Sequence, residues 1–464
     1  MFFPFFVLLA VLAQLASVLA GPVERRVDIQ NPQNDPFYDP PADWEKASNG
    51  DVLRSRKVEL ALLELNKVKY NAAYEILYRT TGASEDVPST TVTTMIVPYN
   101  AKKDQLVNYM TYIDSPGADC APSYILRKGG KLGENLAMTY QQILFFSLLN
   151  EGYVLTVPDH QGPTRAFAAG RLEGRMSLDG IRASINFKPV GLSKKTKVGS
   201  FGYSGGAIAS GWAAALQPSY APEINAVGFA MGGTPSNITS TVENLNGGLF
   251  SGFGIAGMVG IAYTYDKIKN WLMPRLTDKG NDAVDFARSN CMINLLLRYP
   301  LSNIANSDDF IKGGHKGLMR NPVVQSVIHD IVLGYNKSET PKAPVYMFHA
   351  SHDEVIPFDS AFKSGQDWAK HGADVYFEEL TDITMGHVTS EFFNMPNVLF
   401  FFRDRMSGKS FPKGFNHKKT GNPLEDPGVP QKGLGSLIDS IKDIVGKKVG
   451  PADSIIKSEI KKHI

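Results

Sequence analysis

The sequence predicts an α/β fold, a mostly parallel sheet with helices on both faces, into which a mostly helical cap is inserted late in the chain. Three observations carry this. Short β-branched and aromatic runs alternate with longer helical stretches between residues 106 and 230, the order that builds βαβ units and a parallel sheet. One of those strands meets a small-residue helix through Gly202-Tyr203-Ser204-Gly205-Gly206. The alternation then breaks between Gly233 and Pro344, where about 110 residues stand in for a crossover that needs only ~30.

The chain has 464 residues, 43% hydrophobic and 20% charged, with 43 Gly and 28 Pro. That composition belongs to a folded protein and excludes collagen, coiled coil and general disorder. A formal net charge of +2 implies no nucleic-acid partner. Residues 1–20 carry no charged side chain, have an apolar stretch from Phe5 to Leu12, and end on small Val18 and Ala20. They read as a signal peptide that lacks the basic n-region. Residues 21–34 follow as a short pro-segment or N-terminal arm, in which Arg25-Arg26 suits a dibasic processing protease. In a secreted, extracellular chain Cys120 and Cys291 are expected to pair. Asn237-Ile238-Thr239 and Asn336-Lys337-Ser338 are glycosylation acceptors.

The first part of the core spans residues 35–232. Residues 27–60, rich in Pro and charge, are expected to wrap the surface. Ala73 to Tyr78 and Thr90 to Val97 flank a polar turn and predict a hairpin. Leu106 to Ile113 is a strand, Leu136 to Leu149 an apolar helix, and Tyr153 to Val157 a strand stopped by Pro158. A helix over 176–187, a strand from Lys197 to Phe201, a helix from Gly205 to Leu216 and a strand from Ile224 to Ala230 complete this part.

The cap, or lid, occupies 233–343. Within it Asn244 to Tyr265 has no charged residue but six glycines. The glycines dilute its hydrophobicity below that of a stable membrane span, and it reads as a mobile apolar lid element. The core resumes over 344–412 with a strand from Val345 to Phe348, a helix near Asp359 to His371, a strand from Val375 to Glu379 and a last helix near Glu391 to Phe402. A basic tail, 413–464, holds 10 Lys against 6 acidic residues. Its Leu434, Leu437, Ile438, Ile441, Ile444 and Val445 fall on one helical face.

The G-x-S-x-G spacing at Gly202 to Gly206 stands where a strand turns into a helix, the setting of a nucleophile elbow, which makes Ser204 the candidate nucleophile and the scaffold an α/β-hydrolase fold. A serine needs a base oriented by an acid, in the order Ser, then Asp or Glu, then His. His387 follows the last of the predicted strands through a loop and immediately precedes a helix, so it is the candidate base. The acid should follow the preceding strand. Asp353 in Ala350 to Pro357 is the leading choice, with Glu354 and Asp359 as rivals that spacing does not exclude and Asp382 a weaker one. One oxyanion donor is the Gly205 N–H. The second should come from Ile113-Asp114-Ser115-Pro116-Gly117, through its backbone or the Asp114 side chain. Phosphate-binding loops, H-E-x-x-H and paired C-x-x-C motifs are absent. No cofactor or metal site is predicted, and Pro158 to Gly162, with His160, reads as a structural turn.

These residues together resemble the fungal secreted lipase family typified by Candida antarctica lipase A. The matches are Asp114 with Asp119-Cys120-Ala121-Pro122-Ser123, Tyr153 to Gly162, Gly202 to Gly206, His349 to Pro357, and Gly386-His387 followed by a helix with Arg403-Asp404-Arg405. The likeness covers roughly residues 35–412. It implies Ser204, Asp353 and His387 as nucleophile, acid and base, a protonated Asp114 side chain beside the Gly205 N–H in the oxyanion hole, a cap over the site, and a disulfide at Cys120 and Cys291. It implies a secreted hydrolase of triacylglycerol esters, working at an oil–water interface with no cofactor. Two alternatives are weighed against it. One is a soluble carboxylesterase or acyltransferase on small esters with the same triad. The other is a catalytically inactive hydrolase-fold binding protein.

Overall fold

The computed structural model describes residues 29–61, 70–83, 87–130 and 136–423. The expected signal peptide, the Arg25-Arg26 site and the amphipathic face of the tail lie outside the described residues. The strands are β1 (Val52–Val58), β2 (Tyr70–Thr81), β3 (Pro88–Pro98), β4 (Lys102–Met110), β5 (Tyr153–Pro158), β6 (Lys197–Tyr203), β7 (Ala226–Gly232), β8 (Val345–Ala350), β9 (Val375–Leu380) and β10 (Phe415–Thr420). They form one sheet in the order β1-β2-β3-β5-β4-β6-β7-β8-β9-β10. The β1, β2 and β3 edge is antiparallel, and β3 meets β5 antiparallel through Thr93↔Pro158 to Ile96↔Leu155. From β5 across to β10 every pairing is parallel, as helical crossovers require.

Successive strand residues point to opposite faces, and two apolar cores follow from that. Leu106, Val154, Val198, Phe229 and Val345 join one core, and their neighbours Val107, Leu155, Ala230 and Tyr346 join the other. Helices Gly170–Asn186 and Gly205–Tyr220 cover the first face. Helices Leu136–Asn150 and His387–Ser407 cover the second, bringing Phe145, Leu149, Val398 and Phe402 onto the sheet. Strands buried on both sides explain why these runs read as continuous apolar stretches rather than alternating ones.

Several elements differ from their sequence expectation. Part of 27–60 does not merely wrap the surface: Val52–Val58 is the edge strand β1, whose alternating charges suit a strand only partly buried. The helix expected over 176–187 begins at Gly170. Gly170 and Gly174 lie where a Cβ would overlap Trp212, so these helix-weakening residues allow close packing against the next helix. The last helix starts at His387 rather than near Glu391. The expected tail is not free at its start, because Phe415–Thr420 pairs with β9 from Phe415↔Val375 to Thr420↔Leu380.

Between β7 and β8 the chain forms helices Ile238–Leu245, Ser251–Thr264, Asp266–Leu272, Asp278–Ser289, Met292–Arg298 and Pro322–Ile328. The stretch read as a mobile lid element contains Ser251–Thr264, and that helix is packed rather than exposed. Ile255, Ala256, Val259, Ile261 and Ala262 are buried in the first core. Gly260 sits so close to the Phe167 backbone that a side chain there would overlap it. A helix apolar on all sides is a buried helix. No helix among the described residues is long and apolar enough to cross a membrane.

Candidate active site

Ser204 sits between β6 and helix Gly205–Tyr220 with φ 52° and ψ −122°, a left-handed backbone that non-glycine residues rarely adopt. The turn is tight enough that a Cβ on Gly202 would overlap the Gly206 carbonyl, and one on Gly206 would overlap the Met110 carbonyl. This is the physical content of the glycines two before and two after the serine. The Ser204 N–H donates to the Gly232 carbonyl at 3.0 Å, which ties the turn to the end of β7.

Ser204, His387 and Asp353 meet in one hydrogen-bonded line. His387 Nε2 lies 2.8 Å from Ser204 Oγ, and Nδ1 lies 2.7 Å from Asp353 Oδ2. A carboxylate only accepts, so Nδ1 carries hydrogen and Nε2 of the neutral ring is left to accept from the serine hydroxyl. Tyr203 donates its hydroxyl to the His387 carbonyl, and the His387 N–H donates to Glu354 Oε2 at 3.0 Å. Asp353 Oδ1 accepts from the N–H groups of Val355 and Ile356 at 2.9 and 2.8 Å. Burial opposes the Asp353 charge, but His387 and His349 outweigh it and hold the carboxyl well below the usual range. Burial likewise opposes a charged His387, while Asp353, Glu354 and Glu391 push it up to about 9. The rivals separate here. Glu354 holds the backbone of the histidine, Asp359 is exposed in the first turn of helix Phe358–Lys370, and Asp382 accepts from Thr384.

Asp114, just beyond β4, also has positive φ, at 50°. Its Oδ1 is buried without a hydrogen-bond partner and faces Gly205, where a Cβ would overlap it. Burial pushes this carboxyl up to about 7, with His387 opposing and Glu173 adding to the rise. The side chain, which the residues alone did not distinguish from the loop backbone, therefore points at the place where the Gly205 N–H begins its helix.

Three buried groups near these residues were not singled out from sequence. His349, at the end of β8, is buried against Asp353, its Nε2 3.2 Å from Oδ2. Glu391, one turn beyond His387, is pushed up to about 8 by burial, with His387 and Tyr112 opposing. Glu173 pairs with His160, whose Nδ1 lies 2.9 Å from Glu173 Oε2 and whose Nε2 lies 2.9 Å from the Thr111 carbonyl oxygen. Only the i, i+4 spacing of His349 to Asp353 and of His387 to Glu391 hinted at any of this. Among the described residues no group of three or more His, Cys, Asp or Glu side chains is arranged to hold a metal.

Cys120 and Cys291 form a disulfide that joins the loop after β4 to the start of helix Met292–Arg298. Asn336 is exposed, and its Oδ1 accepts from the Ser338 N–H. Asn237 is half-buried and caps helix Ile238–Leu245 by accepting from the Ser240 N–H.

Known proteins give the same outline. The model of the secretory lipase family matches residues 128–414. A secreted triacylglycerol lipase of Malassezia restricta is 54% identical over 446 residues, which is 96% of this chain and 95% of that protein. One from Malassezia furfur is 59% identical over 380 residues, 82% of this chain and 99% of its own. The X-ray structure of Candida antarctica lipase A superposes with a TM-score of 0.81 at 29% identity, covering 90% of this chain and 96% of that one. With the elbow, the hydrogen-bonded line and the sheet order already in place, these matches settle the relationship: the chain belongs to the secretory lipase family.

Proposed function

We propose that this secreted lipase hydrolyses the ester bonds of triacylglycerols through an acyl-enzyme on Ser204. The observation that carries the mechanism is the unbroken path from Ser204 Oγ through both nitrogens of His387 to Asp353. Ser204 attacks the ester carbonyl while His387 Nε2 takes its proton, and the Asp353 carboxylate stabilises the imidazolium that forms. The oxyanion is held by the Gly205 N–H and by the protonated Asp114 carboxyl. His387 then protonates the departing glyceride oxygen. Water, activated by the same ring, attacks the acyl-enzyme and releases the fatty acid.

An oil–water interface as the working surface is supported by exposed apolar side chains. Val388 directly follows His387, and Ile383 lies in the loop before it. Leu249, Leu297 and Leu301 are also exposed, and the Leu301 N–H donates to the Gly248 carbonyl beside Leu249. In this reading residues 233–343 are the cap, 1–20 the signal peptide, and Asn237 and Asn336 carry glycans, Asn336 being the more accessible.

The test is hydrolysis of emulsified long-chain triacylglycerol and of a soluble short-chain ester by the purified protein and by Ser204→Ala. Release of long-chain fatty acid by the wild type alone is the expected result. Cleavage of only the short ester would leave the triad but make the protein a soluble esterase. Activity unchanged in Ser204→Ala would overturn the mechanism.

A further inference from the structure

We propose that His349 is a positioning residue for the reaction: a second histidine that fixes the Asp353 carboxylate and restrains its pull on His387. This rests on the triad reading above and goes beyond it.

Asp353 is completely surrounded by donors. Val355 and Ile356 N–H groups occupy Oδ1, and Oδ2 is shared by His387 Nδ1 at 2.7 Å and His349 Nε2 at 3.2 Å. The side chains of His349 and Asp353 are both fully buried. His349 Nε2 also lies 3.1 Å from the Ile356 carbonyl oxygen. Both of its neighbours only accept, so Nε2 carries the hydrogen and donates to the two of them. Its Nδ1 is buried without a partner, and the ring stands edge-on to Phe358, with centroids 5.9 Å apart. Since β8 carries His349 and the following loop carries Asp353, Val355 and Ile356, the donation to both the carboxylate and the Ile356 carbonyl closes that loop on itself.

The consequence is electrostatic as well as geometric. A carboxylate that already receives a donor on the oxygen it offers to His387 is less basic than one receiving only His387. It therefore holds the imidazolium less tightly, and the ring can be relieved of its proton at lower pH to act as base. The charged and titratable groups facing His387 are Asp353 and Glu354 from the loop after β8, Glu391 from its own helix, Asp114 from the loop after β4, and Tyr203 at the end of β6. Of these, Asp353 is the one that His349 contacts, so a change at His349 reaches His387 through that carboxylate.

The experiment compares His349→Leu, His349→Gln and wild type on one soluble ester, with kcat and KM measured across pH and Ser204→Ala alongside. His349→Leu is expected to lose about 10-fold in kcat with KM nearly unchanged, and to move the acidic limb of kcat/KM upward by about half a pH unit or more. His349→Gln, whose amide can donate from nearly the same place, is expected to bring the limb back and recover most of kcat. Equal losses in both variants with the limb unmoved would make His349 a packing residue and overturn the proposal. Activity surviving Ser204→Ala would instead remove the triad reading itself. Should His349→Leu fail to fold, ring nitrogen NMR of the wild type decides. Hydrogen on His349 Nε2 supports the proposal, and hydrogen on Nδ1 refutes it.

Discussion

Asp114 Oδ1 occupies the space that any side chain on Gly205 would need. In the proposed mechanism the residue after the serine must therefore stay glycine for the carboxyl to reach the oxyanion. Gly205→Ala is expected to remove at least 100-fold of kcat by displacing Asp114, and Asp114→Ala to cost about 10²–10³ in kcat with little change in KM. Steady-state kinetics on a soluble ester checks both. Near-normal turnover in Asp114→Ala would show that backbone donors alone stabilise the oxyanion.

In the proposed mechanism His387 and Asp114 make opposite demands on pH. His387, pushed up to about 9, must be neutral to accept a proton, and Asp114, pushed up to about 7, must be protonated to donate one. The working form carries one proton between them. Below about 7 both are protonated and above about 9 neither is, so kcat/KM should be bell-shaped between those macroscopic steps. In Asp114→Asn the donor no longer titrates, so the alkaline limb should vanish and the acidic limb should move up toward the His387 value of about 9. An alkaline limb that persists in this variant would assign it to another group.

Glu391 gives a stability prediction of definite sign. Its folded value is raised from 4.5 to about 8, mostly by burial, so the fold holds the neutral acid while the unfolded chain releases its proton earlier. Stability is full below 4.5 and is lost as pH rises toward about 8. Glu391→Gln should match the wild type near about pH 5 and exceed it near about pH 8 by on the order of a few kcal/mol. Urea unfolding at the two pH values measures the difference.

The Cys120–Cys291 bridge spans a sequence separation of 171 residues, and Ser115 beside it donates its hydroxyl to the Asn290 carbonyl at 2.6 Å. Cys120→Ser with Cys291→Ser should lower stability by about 2–5 kcal/mol. Because Ser115 follows Asp114, kcat should fall as well. Calorimetry and kinetics on the double variant test the two effects separately.

How much of this was legible in the sequence depended on how local each signal was. The elbow could be read because its strand, glycines and helix are contiguous over Lys197 to Leu216. The choice among Asp353, Glu354 and Asp359 could not be settled by spacing, since Asp353 and Glu354 both reach His387, one to the ring and the other to the backbone N–H. The strand β1 was missed because its residues, Val-Leu-Arg-Ser-Arg-Lys-Val, lack a buried face, and Arg56 is instead held by Asp35 and Glu75. The strand β10 was hidden for a similar reason, as His417 and Lys419 pair with Glu379 rather than entering a core. That Glu173 and Glu391 are both buried follows only from long-range packing, which no local pattern carries.

The helices between β7 and β8 replace a single crossover between two strands that remain neighbours, paired from Phe229↔Val345 to Gly232↔Phe348. The register of these strands is held by direct strand pairing rather than by a short crossover. Such an arrangement ties the segment to the scaffold: with Ile255 and Val259 buried in the first core and Cys291 bridged to Cys120, trimming or exchanging it would be felt in the core and in the loop that carries Asp114.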